Sequence, residues 1–129
     1  MLQTCTITLT VTAGGTTGTA TSASPVIGTL KAIYVKYAAG TAATTDLTIT
    51  TVGDDVLPSL TLLVVTDSST SAWYYPTVSA CDAAAAAVTY DGTRPIKVQV
   101  VLADYVNIAA AQSTASKAIS VTLFYDGGY

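Results

Sequence analysis

The chain has 129 residues, half of them hydrophobic but only 10% charged, with a formal net charge of −3. That length suffices for one core without metal or disulfide staples, while five Lys/Arg residues are too few for the clustered basic face that nucleic acid needs. The charged fraction lies far below the typical value of about a quarter, so either neighbouring subunits cover much of the surface or Ser and Thr solvate it.

Every acidic residue is an aspartate: Asp46, Asp54, Asp55, Asp67, Asp82, Asp91, Asp104 and Asp126. Aspartate bonds nearby backbone and favours turns over strand interiors, so these positions mark loops. There is no histidine, and the cysteines are Cys5 and Cys81. Both read as free, buried thiols, and a structural zinc site lacks its usual ligands. Met1-Leu2-Gln3-Thr4 has no basic start of the secretory kind, and no stretch reaches the ~18 to 20 apolar residues of a membrane-spanning helix. The expectation is a soluble, unprocessed chain that engages neither membrane nor nucleic acid.

Residues 4–12 alternate strictly, with Cys5, Ile7, Leu9 and Val11 on one face and threonines on the other. That period of two predicts a half-buried strand. Ala13-Gly14-Gly15-Thr16-Thr17-Gly18 is a turn, residues 19–24 a weaker edge strand, and Pro25 its end. Residues 30–37 form the next strand, with Ile33, Val35 and Tyr37 on one face and Leu30, Ala32, Tyr34 and Lys36 on the other. Bulk on both sides predicts cover on both sides. A small-residue loop leads to a strand at 46–52 with Leu47 and Ile49 inward, then to a turn at Gly53-Asp54-Asp55.

Residues 60–65 are apolar on both faces and read as a central strand. A polar loop delivers the chain to Trp73-Tyr74-Tyr75-Pro76, after which a strand runs on to Cys81. Pro76 removes a ladder donor and places this segment at a strand start or sheet edge. Asp82 could cap a short helix through Ala83–Ala87, or those alanines form a loop packed on a partner. Residues 96–103 alternate again, with Ile96, Val98, Val100 and Leu102 on one face. Residues 104–116 show no strand pattern, and Asp104 is placed as the cap of a helical turn. Residues 118–125 close the chain with Ile119, Val121, Leu123 and Tyr125 inward.

About seven or eight short antiparallel strands separated by turn signals predict an all-β, single-domain sandwich over residues 1–129, jelly-roll or Greek-key in kind. Catalytic signals are missing from the pattern. Without histidine, neither a Ser-His nor a Cys-His couple can form. Asp54 and Asp55 are adjacent on a turn and read as solvated, and no Asp-x-Asp-x-Asp-Gly calcium loop occurs. Gly14, Gly15 and Gly18 lack the Lys-Ser/Thr sequel of a phosphate loop. We therefore expect no enzyme, no cofactor and no metal. The eight tyrosines (Tyr34, Tyr37, Tyr74, Tyr75, Tyr90, Tyr105, Tyr125 and Tyr129) together with Trp73 suit protein contact, since an apolar body with a polar tip is favoured at interfaces.

The segments at 25–37, 46–51 and 73–76, with the closing strand through Tyr125, resemble small virion proteins of tailed bacteriophages, above all capsid decoration (cement) proteins. The resemblance lies in short Thr/Ala-rich strands; the alanine stretches at 83–87 and 108–111 depart from it. It implies a β-sandwich or jelly-roll, often a trimer, clamped on the major capsid protein at the outside of the capsid, with no catalytic residues. On that reading Trp73, Tyr74 and Tyr75 belong to the contact surface, with Tyr34 and Tyr37 as further anchors. Two other readings stay open. One is a subunit of a filament or tail built by strand exchange; the other is a carbohydrate- or cell-binding module using Trp73.

Overall fold

The computed structural model describes residues 1–81, 83–89 and 91–127. These form eleven strands and no helix: β1 (Leu2–Thr10), β2 (Gly18–Thr21), β3 (Val26–Tyr37), β4 (Asp46–Thr51), β5 (Thr61–Val65), β6 (Ala72–Tyr74), β7 (Thr77–Ser79), β8 (Lys97–Gln99), β9 (Val101–Asp104), β10 (Val106–Ala111) and β11 (Ala118–Asp126). Sheet A has the order β1-β11-β3-β6, with β9 also on β3; sheet B has β2-β10-β4-β5; β7 and β8 pair with each other.

β6 lies against residues 33–35 of β3 and β9 against residues 26–29, both antiparallel. They are two pieces of one strand line, interrupted where residues 75–99 leave the sheet, and Val100 rejoins it through its carbonyl, which accepts from the Leu30 amide at 2.8 Å. Counting that line once and setting aside the separate β7–β8 pair leaves eight strand lines, paired first with last, second with seventh, third with sixth and fourth with fifth. This is the pairing of one long antiparallel ribbon wrapped around a core. The fold is a β-sandwich of jelly-roll topology, as the strand pattern predicts.

The core follows from the alternation. Ile7 and Leu9 of β1, Ile33 and Val35 of β3 and Ile119, Val121 and Leu123 of β11 meet Leu47 and Ile49 of β4 and Val106 and Ile108 of β10 in one apolar cluster. Cys5 packs against its rim half-buried, and burial pushes its thiol pKa up. Cys81 is exposed, so the expectation of a buried thiol fails there; both cysteines are free. Gly18 sits where the chain folds over from sheet A to sheet B, and a Cβ there would come within 2.9 Å of the Thr10 carbonyl oxygen and 3.1 Å of the Val11 α-carbon, which leaves no room for a side chain.

Other expectations are corrected. Leu30 does not share a face with Ala32 and Tyr34: the register of β11 on β3 shifts between Phe124 and Tyr125, turning Leu30 into the core, fully buried. β5 is an edge strand rather than a central one. A register irregularity between Ile49 and Thr50 turns both Leu62 and Leu63 inward, which explains their adjacency, while Val64 faces solvent. Residues 106–111 are a strand at the middle of sheet B, not a helical turn. Asp104 accepts from the Gly53 and Tyr105 amides, each at 2.7 Å, and thereby ties the 52–60 loop to β9.

The alternation at 96–103 does not belong to one strand. Val100 and Leu102 enter the core, whereas Ile96 and Val98 stand 38% and 43% exposed on a separate ribbon. The run from Trp73 to Cys81 likewise breaks at Tyr75-Pro76, where the chain leaves sheet A. Ala83–Ala86 are exposed turn and bend rather than helix; Asp82, proposed as its cap, lies outside the described residues.

Two core positions give direct tests. Gly28 has φ of +145°, and a Cβ there would overlap the Asp126 carbonyl. Gly28→Ala should therefore destabilise by more than the ~1 kcal/mol of an ordinary glycine replacement, read as a lower urea midpoint with unchanged slope. Tyr37 is 6% exposed with an unpartnered hydroxyl, and burial, reinforced by Tyr74, pushes its pKa to about 12. Because the folded chain holds this proton after the unfolded chain has lost it, stability should fall as pH rises from about 10 to about 12. Tyr37→Phe should flatten that part of the alkaline melting curve and cost little at pH 7, since it also removes a buried orphan hydroxyl. An unchanged alkaline slope would contradict the assignment.

Candidate interaction surface

The outer face of sheet A is built by the alternation that fills the core. Where Ile7, Leu9, Val121 and Leu123 point in, Thr4, Thr6 and Thr8 of β1 stand opposite Phe124, Thr122 and Ser120 of β11. The Thr6 and Thr122 hydroxyls are 3.1 Å apart, as are those of Thr8 and Ser120. The result is an uncharged ladder of cross-strand hydroxyl pairs. β-branched threonine suits a strand while keeping its outer face wettable.

Aromatic residues replace hydroxyls on the other side of β11. Tyr34 of β3 lies opposite Thr122 and, on its far side, opposite Trp73 of β6. Ring centroids are 4.9 Å apart for Tyr34 and Trp73 and 5.1 Å for Trp73 and Phe124, with interplanar angles of 48° and 42°. Trp73 thus reaches across β3 to β11, over the position of Ala32, which pairs with Phe124 and is small enough to permit it. Tilted pairs of this kind add roughly 0.5–1.5 kcal/mol beyond their burial, enough to hold the indole in one orientation. Even so, 51% of Trp73 remains accessible. It forms a preorganised aromatic ledge beside the hydroxyl ladder.

The five residues singled out from the sequence separate. Trp73 and Tyr34 come together on this ledge. Tyr74, one position on, points the other way: it lies opposite Ile33 and packs half-buried against the core. Tyr37 is a core residue and not part of a contact surface. Tyr75 is 69% exposed on the connection into the 75–99 excursion. Phe124 was missed, although the signal was present: it is an aromatic out of phase with Ile119, Val121 and Leu123, on the Ser120/Thr122 face. Tyr90 and Tyr129 lie outside the described residues.

A second apolar surface lies on the same edge of the sandwich. Leu57, Pro58 and Leu60 of the 52–60 loop face Val101, Ala103 and Asp104 across an open groove of roughly 180 Å³. Val101 is 73% exposed and Leu57 57%. Ile27, 56% exposed, pairs with Ala103 and extends this patch over β3.

Titratable groups serve turns. The Asp54 carboxylate accepts from the Leu57 amide at 2.6 Å and the Val56 amide at 2.8 Å, and these bonds lower its pKa. Asp91 is lowered by the Arg94 amide, then by the Arg94 guanidinium and the Thr93 amide. Among the described residues no group of three or more Cys or Asp side chains is placed to hold a metal ion. What the surface offers is apolar and aromatic area framed by hydroxyls. No protein-family model matches the chain, and searches of curated proteins and of solved structures return no significant match.

Proposed function

We propose that this chain is a structural subunit of a virus particle, without catalytic activity, acting as a capsid decoration protein that binds the major capsid protein lattice from outside. The observation that carries the reading is the Trp73–Tyr34–Phe124 ledge: a large, oriented, half-exposed aromatic surface set beside a ladder of hydroxyl pairs, with Lys36 opposite Ser120 as a charged group on that face. Tryptophan and tyrosine dominate binding hot spots because they bring large area at low entropic cost. Hydroxyl-bearing strand faces pack against a protein surface without burying unpaired charge.

Jelly-roll architecture is common to viral capsid and lectin domains, so it supports the reading only in company with the surface. A decoration subunit stabilises a shell by binding its assembled form more tightly than its separated parts. No chemistry is needed for that, only repeated contact area. Repetition across a lattice then multiplies contacts that are individually weak, provided the subunits can engage simultaneously.

The test uses undecorated shells of the virus that encodes the chain, co-sedimented with purified protein. Wild type should pellet with the shells and raise their melting temperature. Trp73→Ala, at a half-exposed position that leaves the core intact, should weaken binding by at least tenfold, as expected for a hot-spot truncation of about 2 kcal/mol. No co-sedimentation, or equal binding by Trp73→Ala, would overturn the proposal. Binding to a glycan array that depends on Trp73 would move the assignment to a carbohydrate-binding module.

A further inference from the structure

β1 forms one margin of sheet A and pairs with β11 alone. Its register on β11 is unbroken from Leu2, opposite Asp126, to Thr10, opposite Ala118. Just beyond its two ends the Gly127 amide donates to the Met1 carbonyl at 3.1 Å and the Val11 amide to the Lys117 carbonyl at 3.0 Å. Antiparallel strands alternate between hydrogen-bonded and non-bonded pairs, so the odd residues from Met1 to Val11 turn their backbone groups toward β11. The amides and carbonyls of Leu2, Thr4, Thr6, Thr8 and Thr10 point the other way. At Thr10 that margin is occupied, since a Cβ on Gly18 of β2 would come within 2.9 Å of the Thr10 carbonyl oxygen. From Leu2 to Thr8 no backbone hydrogen bond among the described residues covers it.

Native sheets protect such margins by shortness, charge, proline or a bulge. The other margins of the two large sheets follow that rule. β2, β5, β6 and β9 have four, five, three and four residues, and the register of β5 is broken besides. β1 has nine residues, Leu2-Gln3-Thr4-Cys5-Thr6-Ile7-Thr8-Leu9-Thr10, with no charge, no proline and no bulge. Thr4, Thr6 and Thr8 are exposed. A long, regular, uncharged margin with open backbone groups accepts another strand.

Three features select a second copy of β1 as that strand. An antiparallel ladder is two-fold symmetric, and the open stretch from Leu2 to Thr8 is centred on Cys5. A two-fold axis at Cys5 sets Leu2 opposite the partner's Thr8 and Thr4 opposite the partner's Thr6, which engages every open group on both strands. On the outer face this repeats the hydroxyl pairing that β1 already makes with β11 through Thr6–Thr122 and Thr8–Ser120. A strand without charge also meets no like charge when it meets itself. We propose that β1 pairs antiparallel with β1 of a second copy about a two-fold axis at Cys5, joining the two A sheets into one. Each copy thereby covers its longest open margin, so the assembly closes at two subunits, rather than at the trimer that the family resemblance suggests. Trp73 lies at the opposite margin of sheet A, so both aromatic ledges stay uncovered. The dimer forms without a shell, so its failure and that of the decoration role are read separately.

Sedimentation equilibrium of the purified chain and residue-resolved amide exchange test this together. The chain should be a dimer whose affinity is nearly independent of salt, since no charges meet across the contact. In the dimer the Thr4, Thr6 and Thr8 amides should exchange slowly, and they should become fast on dilution to monomer. The Cys5, Ile7 and Leu9 amides, which face β11, should stay protected at every concentration. Thr6→Pro removes one outward donor per copy and no bond to β11, so it should raise the dimer dissociation constant at least roughly tenfold. A melting curve checks its fold. Thr4→Lys leaves the backbone unaltered and sets two like charges diagonally across the contact; it should weaken the dimer at low salt and less so at high salt. A monomeric or trimeric chain would overturn the proposal, as would a dimer in which the Thr4, Thr6 and Thr8 amides exchange at monomer rates. Protection of those amides only on adding shells would also overturn it, and would give the margin to a strand of the lattice.

Discussion

The last strand holds the structure together. β11 runs between β1 and β3 through the middle of sheet A, so that Leu2 pairs with Asp126 and Thr10 with Ala118 on one side while Tyr37 pairs with Ile119 on the other. A slip of one residue would exchange Ile119, Val121 and Leu123 with Ser120, Thr122 and Phe124, emptying the core and burying hydroxyls. Each aliphatic side chain is worth roughly 1.5–3 kcal/mol on burial. The ion pair of the N-terminal amine with Asp126, 2.9 Å long and mostly exposed, is worth less than about 1 kcal/mol. Hydrophobic alternation therefore sets the register, and the terminal ion pair follows from it.

The same constraint places the candidate surface. With β11 in this register, the residues its core-facing side excludes become one continuous outer face. The hydroxyl ladder toward β1 and the aromatic ledge toward β6 are its two halves. The register shift between Phe124 and Tyr125 matters here too, because it lets Leu30 enter the core while Ala32 remains opposite Phe124. Without it a leucine would share a face with Tyr34 and Lys36. Gly28, whose backbone conformation suits few other residues, sits close beside Asp126 at the end of the same strand pair.

How much of this was legible in the sequence depended on side-chain contrast. β1, β4 and β11 alternate between large aliphatics and Thr or Ser, and their faces were readable directly. β10 alternates as well, but with Asn and Ala in place of contrast, and alanine argues for helix when packing is ignored. Its central place in sheet B, with only Val106, Ile108 and Ala110 facing the core, overrides that propensity. At 96–102 the alternation is continuous, yet its first half stands partly exposed on the ribbon and its second half fills the core. Period alone says which residues share a side; it cannot say what lies on that side. For the same reason Trp73 and Tyr34 could be named but not paired, and Tyr37 could not be told from a surface tyrosine.

The interrupted strand line shows why the sandwich tolerates a long excursion. β6 and β9 need no direct connection, because β3 templates both: each is fixed by its own pairing with residues 33–35 or 26–29. Loop-closure entropy grows only with the logarithm of length, so lengthening the connection adds little once the ends are held. The ribbon contributes none of the residues that fill the core, which runs from Tyr74 to Val100 without it. Its stability is local and lower than that of the sheets, in keeping with few buried contacts and much exposed backbone. The two parts are thus thermodynamically separable. A rigid sandwich can present its aromatic ledge in fixed geometry whatever the length of the excursion between β6 and β9.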